Sequence, residues 1–392
     1  MEFEFATTPL VVFGARRLEA LAGHAAALGH RALLVTGSRT LERAGVFDRV
    51  ERSLADAGVR AVRVAVHGEP DTVTVDAGVR TAVESACDVV IAIGGGSALD
   101  VGKAIASLIA NGGEALDYLE VVGRGRPIER PSVPFVAVPT TAGTGSEATR
   151  NAVIADSASG TKASIRHLHL LPRIAILDPA LAAGAPTPVT AGSGLDALVQ
   201  LIEPYVSRRE HPLVDCFARS GMRRAAAALP RAYADAADVD ARAELMLAAH
   251  LSGIALAHCG LGAAHALAGP LGGAFPIPHG MACAATIADV MDANVRVAAR
   301  DGVAVTVRRY ADVAEALGEA RGADDLALAR RGIERVRALC RALTVPPLAS
   351  YGVTRASIPD LVARARRTSS MKANPVELSD EDLGAILERA IG

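Results

Sequence analysis

Residues 91–106, IAIGGGSALDVGKAIA, pass from a β-branched run through three consecutive glycines into a helical stretch. Gly94, Gly95 and Gly96 permit a tight turn and bring backbone N–H groups close to a bound anion. The helix beginning near Ser97 turns its positive dipole end to the same place, so the element reads as a pyrophosphate site. The plainer alternative, an ordinary strand-to-helix turn, needs one glycine rather than three. Asp100 and Lys103, three apart on that helix, suit either a surface ion pair or groups that orient the loop toward a cofactor.

Working outward, RALLVTG (31–37), VRVAVHG (62–68), PFVAVPTT (134–141) and IAILDP (174–179) repeat the pattern of a short β-branched run ending in Gly, Pro or Thr. Helical stretches such as 40–58 and 72–87 separate them, which predicts a parallel sheet covered on both faces. Beyond Asp178-Pro179 the strand signal stops, and helical periodicity runs through 211–229, 240–268, 281–300, 302–317 and 325–343. The expected architecture is an α/β domain over 1–182 followed by an all-α domain over 183–392, with a cleft between them.

A second loop, VPTTAGTGSEATRN (138–151), gathers Thr140, Thr141, Thr144 and Ser146 around Gly143 and Gly145. It follows the next strand, so it falls at the carboxyl edge where open α/β sheets bind ligands. Hydroxyl-rich loops also make good turns and helix caps. Two such loops on consecutive strands favour a dinucleotide site.

The composition narrows the function class. A net charge of −2 with no basic run argues against a nucleic-acid partner. No uncharged run is long enough for a membrane helix, and MEFEFATTPLVVFG lacks the basic start of a signal peptide. Five cysteines without a CxxC pair read as buried small hydrophobes in a reducing, cytoplasmic compartment.

GLDALVQLIEPY (194–205) places Asp196 and Gln200 one turn apart on an apolar helix, with no Lys or Arg at the next turn. His265 lies in the small-residue stretch LGAAHALAGPLGG, and His279 follows Pro276 and Pro278. A lone histidine on an apolar helix is usually a hydrogen-bonded core residue. Two of them flanking a Gly/Pro turn, with an unpaired buried acid elsewhere, point instead to a divalent metal that removes the cost of burying that acid. One carboxylate and two imidazoles suit Zn²⁺ or Fe²⁺. His258, two turns before His265, is the competing candidate.

GGGSALDVGK, PTTAGTGSE, the Asp196 helix ending in Ile202-Glu203, HALAGPLGG…PHG and the terminal MKANPVELSDEDLGAIL together resemble the iron-containing (group III) alcohol dehydrogenase family, over essentially the whole chain. The resemblance implies the dehydroquinate synthase-like two-domain architecture, with 1–182 as the dinucleotide-binding domain and 183–392 as the metal- and substrate-binding domain, a metal beside a nicotinamide, and Asp196, His265 and His279 at ligand positions. It also implies that the two loops and Lys162 contact the cofactor. Two positions depart from the family pattern: Gln200 stands where most members have histidine, and Gly269 where a second histidine commonly follows His265. Either the metal is kept through three strong ligands with Gln200 or water, or it is lost; Asp196 favours retention.

The implied activity is reversible hydride transfer between NAD(P)H and a small aldehyde or ketone, with the metal as Lewis acid, in a homodimer. At the first ribose-facing turn, Gly37 and Ser38 stand where NAD-preferring relatives often carry an acid, and Arg39 follows, so NADPH is expected to serve at least as well as NADH. Arg150 and Arg166 read as surface residues in preference to a site for an acidic substrate group. The alternatives are a maleylacetate-reductase-like enzyme, a dehydroquinate-synthase-like lyase, and an inactive nucleotide-binding protein.

Overall fold

The computed structural model describes residues 2–158 and 161–392. The chain divides into two compact units, one of Glu4–Thr141 with Gly145–Ala183, the other built mainly from Gly184–Gly392. Ala142–Thr144 sort with the second unit, a detail that an uninterrupted first domain did not anticipate.

The first unit holds a six-stranded, all-parallel sheet of β1 (Leu10–Phe13), β2 (Arg31–Thr36), β3 (Arg60–Ala65), β4 (Val89–Gly94), β5 (Phe135–Pro139) and β8 (Ile174–Leu177), in the order β1-β8-β5-β4-β2-β3. Every residue of β4 and β5 is buried, as the unbroken apolar runs require of strands covered on both faces. Their side chains alternate between two cores. Val90, Ala92, Phe135 and Ala137 meet the helices Thr72–Glu84 and Gly96–Asn111, while Ile91, Ile93, Val136 and Val138 meet Phe47, Val50 and Leu54 of the helix Val46–Asp56. The edge strand β3 is half open and carries Arg60 and Arg63, the charge that discourages edge pairing. A two-stranded antiparallel pair, β6 (Asn151–Ala155) and β7 (Lys162–Arg166), stands apart from the main sheet.

From β2 the chain steps outward to β3 and then returns to place β4 on the other side of β2. The order therefore reverses between β2 and β4, which opens a crevice at their carboxyl ends. The Gly37 amide donates to the Ile93 carbonyl at 3.1 Å and the Thr140 amide to the Gly94 carbonyl at 2.9 Å. The ends of β2, β4 and β5 are thereby held level.

The second unit is helical. Thr187–Val206 is almost wholly buried and packs against Pro212–Ala234, Val239–Cys259 and His279–Arg300. The helix expected over 240–268 is two helices, Val239–Cys259 and Ala263–Ala274, bent by 101°. Gly260 adopts φ 68°, a conformation open to glycine, and ends the first helix there. No single helix among the described residues is long and apolar enough to cross a membrane.

Candidate functional site

In the helical unit the residues read as metal ligands converge. Asp196 lies on the buried helix Thr187–Val206, His265 near the start of Ala263–Ala274, and His279 opens His279–Arg300. Asp196 Oδ1 stands 3.4 Å from His265 Nε2 and 3.8 Å from His279 Nε2. Asp196 and His265 are buried, whereas the His279 side chain is 47% exposed and forms the open side of the group.

Glu203, two turns beyond Asp196 on the same helix, explains how His265 is aimed. Its Oε2 accepts from His265 Nδ1 at 2.6 Å and its Oε1 from the Ala264 amide at 2.7 Å. With Nδ1 donating to Glu203, Nε2 is the nitrogen turned toward Asp196, the usual arrangement behind a metal-binding imidazole. Asn374, in the terminal segment, accepts from the Ala263 amide at 3.1 Å and completes the capping of that helix end.

Cys283 belongs to the same group. It lies one turn after His279, its Sγ is 3.8 Å from His279 Nε2, and one donor atom from each of Asp196, His265, His279 and Cys283 falls within 4.8 Å of the others. The expectation that the five cysteines are buried small hydrophobes is thus corrected at two positions: Cys283 is buried but stands among polar groups, and Cys216 is exposed. The available signal was the H-x-x-x-C spacing within PHGMAC.

Burial by itself raises the Asp196 carboxyl, but the imidazoles of His265 and His279 and the Gln200 amide outweigh it and hold the group below its ordinary range. Burial likewise raises the Cys283 thiol, and the same two imidazoles draw it down. Asp196 Oδ1 and His265 Nε2 are nevertheless buried with no hydrogen-bond partner. Two such atoms facing one shared space cost free energy unless something binds both. A divalent cation fits that requirement and that donor chemistry.

Gln200 points differently from the expectation of a ligand. Its Nε2 donates to Asp196 Oδ2 at 3.0 Å, and its Oε1 is directed to the Ser252 hydroxyl at 3.4 Å. The amide group turned toward Asp196 is a donor with no lone pair to offer, and it steadies the carboxylate instead. His258 is excluded from the group: its Nδ1 contacts the Ile254 carbonyl at 2.8 Å and its ring meets His211. Gly269 is exposed, and a side chain there would meet no atom within 4 Å.

In the α/β unit, Gly95, Gly96 and Ser97 are half-buried at the N-terminus of the 16-residue helix Gly96–Asn111. Gly94 ends β4 opposite Pro139 at the end of β5, so Thr140 and Thr141 begin the hydroxyl loop beside the glycines. Thr144 is exposed farther along. Gly37 follows β2 at the crevice, and the Ser38 hydroxyl caps the helix Arg39–Arg43 by accepting from the Leu41 amide at 3.3 Å.

Asp100 and Ser146, expected at the cofactor, join the two loops to each other. Asp100 Oδ1 accepts from the Ser146 hydroxyl at 2.6 Å, and its Oδ2 from the Val153 amide at 3.0 Å. Lys103 is buried and donates to the Ser146 carbonyl, the Thr149 hydroxyl and the Asn151 carbonyl. Burial lowers its ammonium below the usual range, and the neighbouring Asp100 carboxylate works against that. Lys162 is exposed on β7 and pairs with Glu69 at 2.9 Å, while Arg166 pairs with Glu120 at 3.4 Å.

Residues 8–179 match the family model described as iron-containing alcohol dehydrogenase, and residues 190–391 its C-terminal domain. The chain is 32% identical to an NAD-dependent methanol dehydrogenase of Bacillus methanolicus, over 99% of each sequence. It is also 32% identical to a 1,3-propanediol dehydrogenase of Klebsiella pneumoniae, over 92% of each. Among solved structures, a 1,3-propanediol oxidoreductase superposes with a TM-score of 0.93 at 30% identity, covering 100% of both chains. A sulfoacetaldehyde reductase from Bifidobacterium kashiwanohense, solved with NAD⁺, gives 0.86 at 28% identity over 100% of this chain and 99% of that one. With both halves matched and the glycine turn, hydroxyl loop and convergent acid and imidazoles in place, this chain belongs to the iron-containing alcohol dehydrogenase family.

Proposed function

We propose that this protein interconverts a small alcohol and its aldehyde or ketone with a nicotinamide dinucleotide, using a divalent metal held by Asp196, His265 and His279. The observation that carries the reading is the pair of buried, unpartnered atoms, Asp196 Oδ1 and His265 Nε2, facing one space beside His279. Fe²⁺ and Zn²⁺ both suit this donor chemistry. When bound, the metal supplies Lewis-acid stabilisation of negative charge building on the substrate oxygen.

The protein's own part is to bind and orient. Gly94, Gly95, Gly96 and Ser97 present the helix N-terminus to the pyrophosphate, and Thr140, Thr141 and Thr144 line the adjoining loop. The Asp100–Ser146–Lys103 network keeps those two loops in register. In the reducing direction a bound reduced nicotinamide would supply the hydride for the carbonyl carbon, and the oxygen needs a proton. Gly269 carries no titratable group, so that proton comes from water or a ribose hydroxyl. Nucleotide binding is assigned to residues 1–182, and metal and substrate binding to 183–392.

NADPH is accepted as well as NADH, since Gly37 and Ser38 place no carboxylate against a 2′-phosphate. The edge strand β1 exposes Leu10, Val11 and Phe13 by 38–42%, which favours pairing with a second copy in a homodimer. Five free thiols suit a reducing compartment such as the cytoplasm. The deciding experiment is a panel of aldehydes and ketones assayed with NADH and NADPH, with and without added Fe²⁺ or Zn²⁺. Metal-dependent consumption of reduced cofactor is the expected result. Nucleotide binding without turnover across the panel would reject the activity.

A further inference from the structure

We propose that Cys283 supplies a thiolate ligand to the metal, so that the donor set is one carboxylate, two imidazoles and one sulfur, and Gln200 is not a ligand. This rests on the metal-dependent reading above and deepens it. His279 and Cys283 are one turn apart on the same helix, so a single element presents both to the helix that carries Asp196. Tetrahedral bonds of about 2.0–2.3 Å hold neighbouring donor atoms roughly 3.3–3.8 Å apart. The pairs Asp196–His265, Asp196–His279 and His279–Cys283 stand at 3.4, 3.8 and 3.8 Å.

Two further observations favour sulfur over the amide. Asp196 Oδ1 and His265 Nε2 are buried, unpartnered and directed into the space that the Cys283 thiol borders. Gln200 meanwhile spends its amide hydrogen on Asp196 and turns its oxygen to Ser252. Cys283 itself is fully buried, and none of the other cysteines joins the group. A thiolate and a carboxylate together balance the double charge of the ion. Sulfur also shifts preference away from Mg²⁺ and Mn²⁺ toward Zn²⁺ and Co²⁺.

The test is spectroscopic. Chelator-treated full-length protein is titrated with Co²⁺, and the wild type should develop a thiolate-to-cobalt charge-transfer band in the near ultraviolet beside the visible ligand-field bands. Cys283→Ser and Cys283→Ala should keep the visible bands, lose the charge-transfer band, and release cobalt to a competing chelator roughly ten-fold more readily or worse. Circular dichroism verifies that both variants are folded; should they not be, the wild-type spectrum alone decides. Cobalt uptake without a charge-transfer band, or a band that survives in both variants, overturns the thiolate while leaving the metal site standing. Failure of the wild type to take up Co²⁺, Zn²⁺ or Fe²⁺ overturns both.

Discussion

Gly280 lies so close to Gly192 that a Cβ at position 280 would run into the Gly192 carbonyl oxygen and come within 3.1 Å of the Asp196 Cβ. This crossing of two helices at bare backbone brings His279 and Cys283 within reach of Asp196.

Gly280→Ala should therefore force the helices apart and separate the donor atoms, even though alanine is the better helix former. The expected outcome is loss of bound metal and of turnover, with a stability cost of about 1–3 kcal/mol from overpacking. Elemental analysis after dialysis, with a urea melt on the same sample, checks it; full metal content would show that the crossing is not critical.

Glu203→Gln preserves shape but reverses a hydrogen bond. If the new side chain keeps its oxygen on the Ala264 amide, its NH₂ faces His265 Nδ1 and moves the imidazole proton to Nε2, where it blocks ligation. Metal affinity should fall roughly 10–100-fold. Competition with a chromogenic chelator measures this, and wild-type affinity would assign Glu203 to helix capping alone.

At position 200, histidine should add a strong ligand beside Asp196. Gln200→His is expected to slow metal loss to a chelator, while Asp196→Ala eliminates both metal and activity. Full-rate turnover by metal-free wild type, with Asp196→Ala still active, would refute the metal mechanism.

A Cβ at Gly95 meets nothing nearer than Thr141 Oγ1 at 3.4 Å, and the backbone φ of −74° suits any residue. Gly95→Val should thus fold normally while its branches fill the position of the pyrophosphate. Titration calorimetry with NADH and NADPH should register no binding. Unchanged affinity for both would remove this loop from the cofactor site.

Ser38→Asp tests the cofactor preference with little cost to the fold, because Asp caps the helix Arg39–Arg43 as well as Ser does. The added carboxylate should repel a 2′-phosphate and raise KM for NADPH by roughly ten-fold, about 1.4 kcal/mol, with KM for NADH nearly unchanged. Equal effects on the two cofactors would mean that this turn does not face the ribose.

Much of the architecture is carried by local pattern. The β-branched runs ending in Gly, Pro or Thr are strands β2, β3, β4, β5 and β8; β4, β5 and β8 are wholly buried and leave no place for polar residues, while the open edge strand β3 keeps its two arginines. Other strands escaped: β1 is an edge strand with no buried residue, and the β6–β7 pair is stabilised by the long-range network around Asp100 and Lys103. Asp196, His265 and His279 were legible because their residue types are anomalous in apolar helices, and the family resemblance joined them. Tertiary structure alone decided how neighbouring side chains divide the work. Gly260, at a positive φ of 68°, turns the chain between His258 and His265, so that His265 and not His258 reaches Asp196. The contact of Gly280 with Gly192 selects which face of the His279 helix meets the acid, and that face includes Cys283. Helical periodicity specifies a stripe on one helix, whereas the partner of each stripe depends on how two backbones cross, which no single segment encodes.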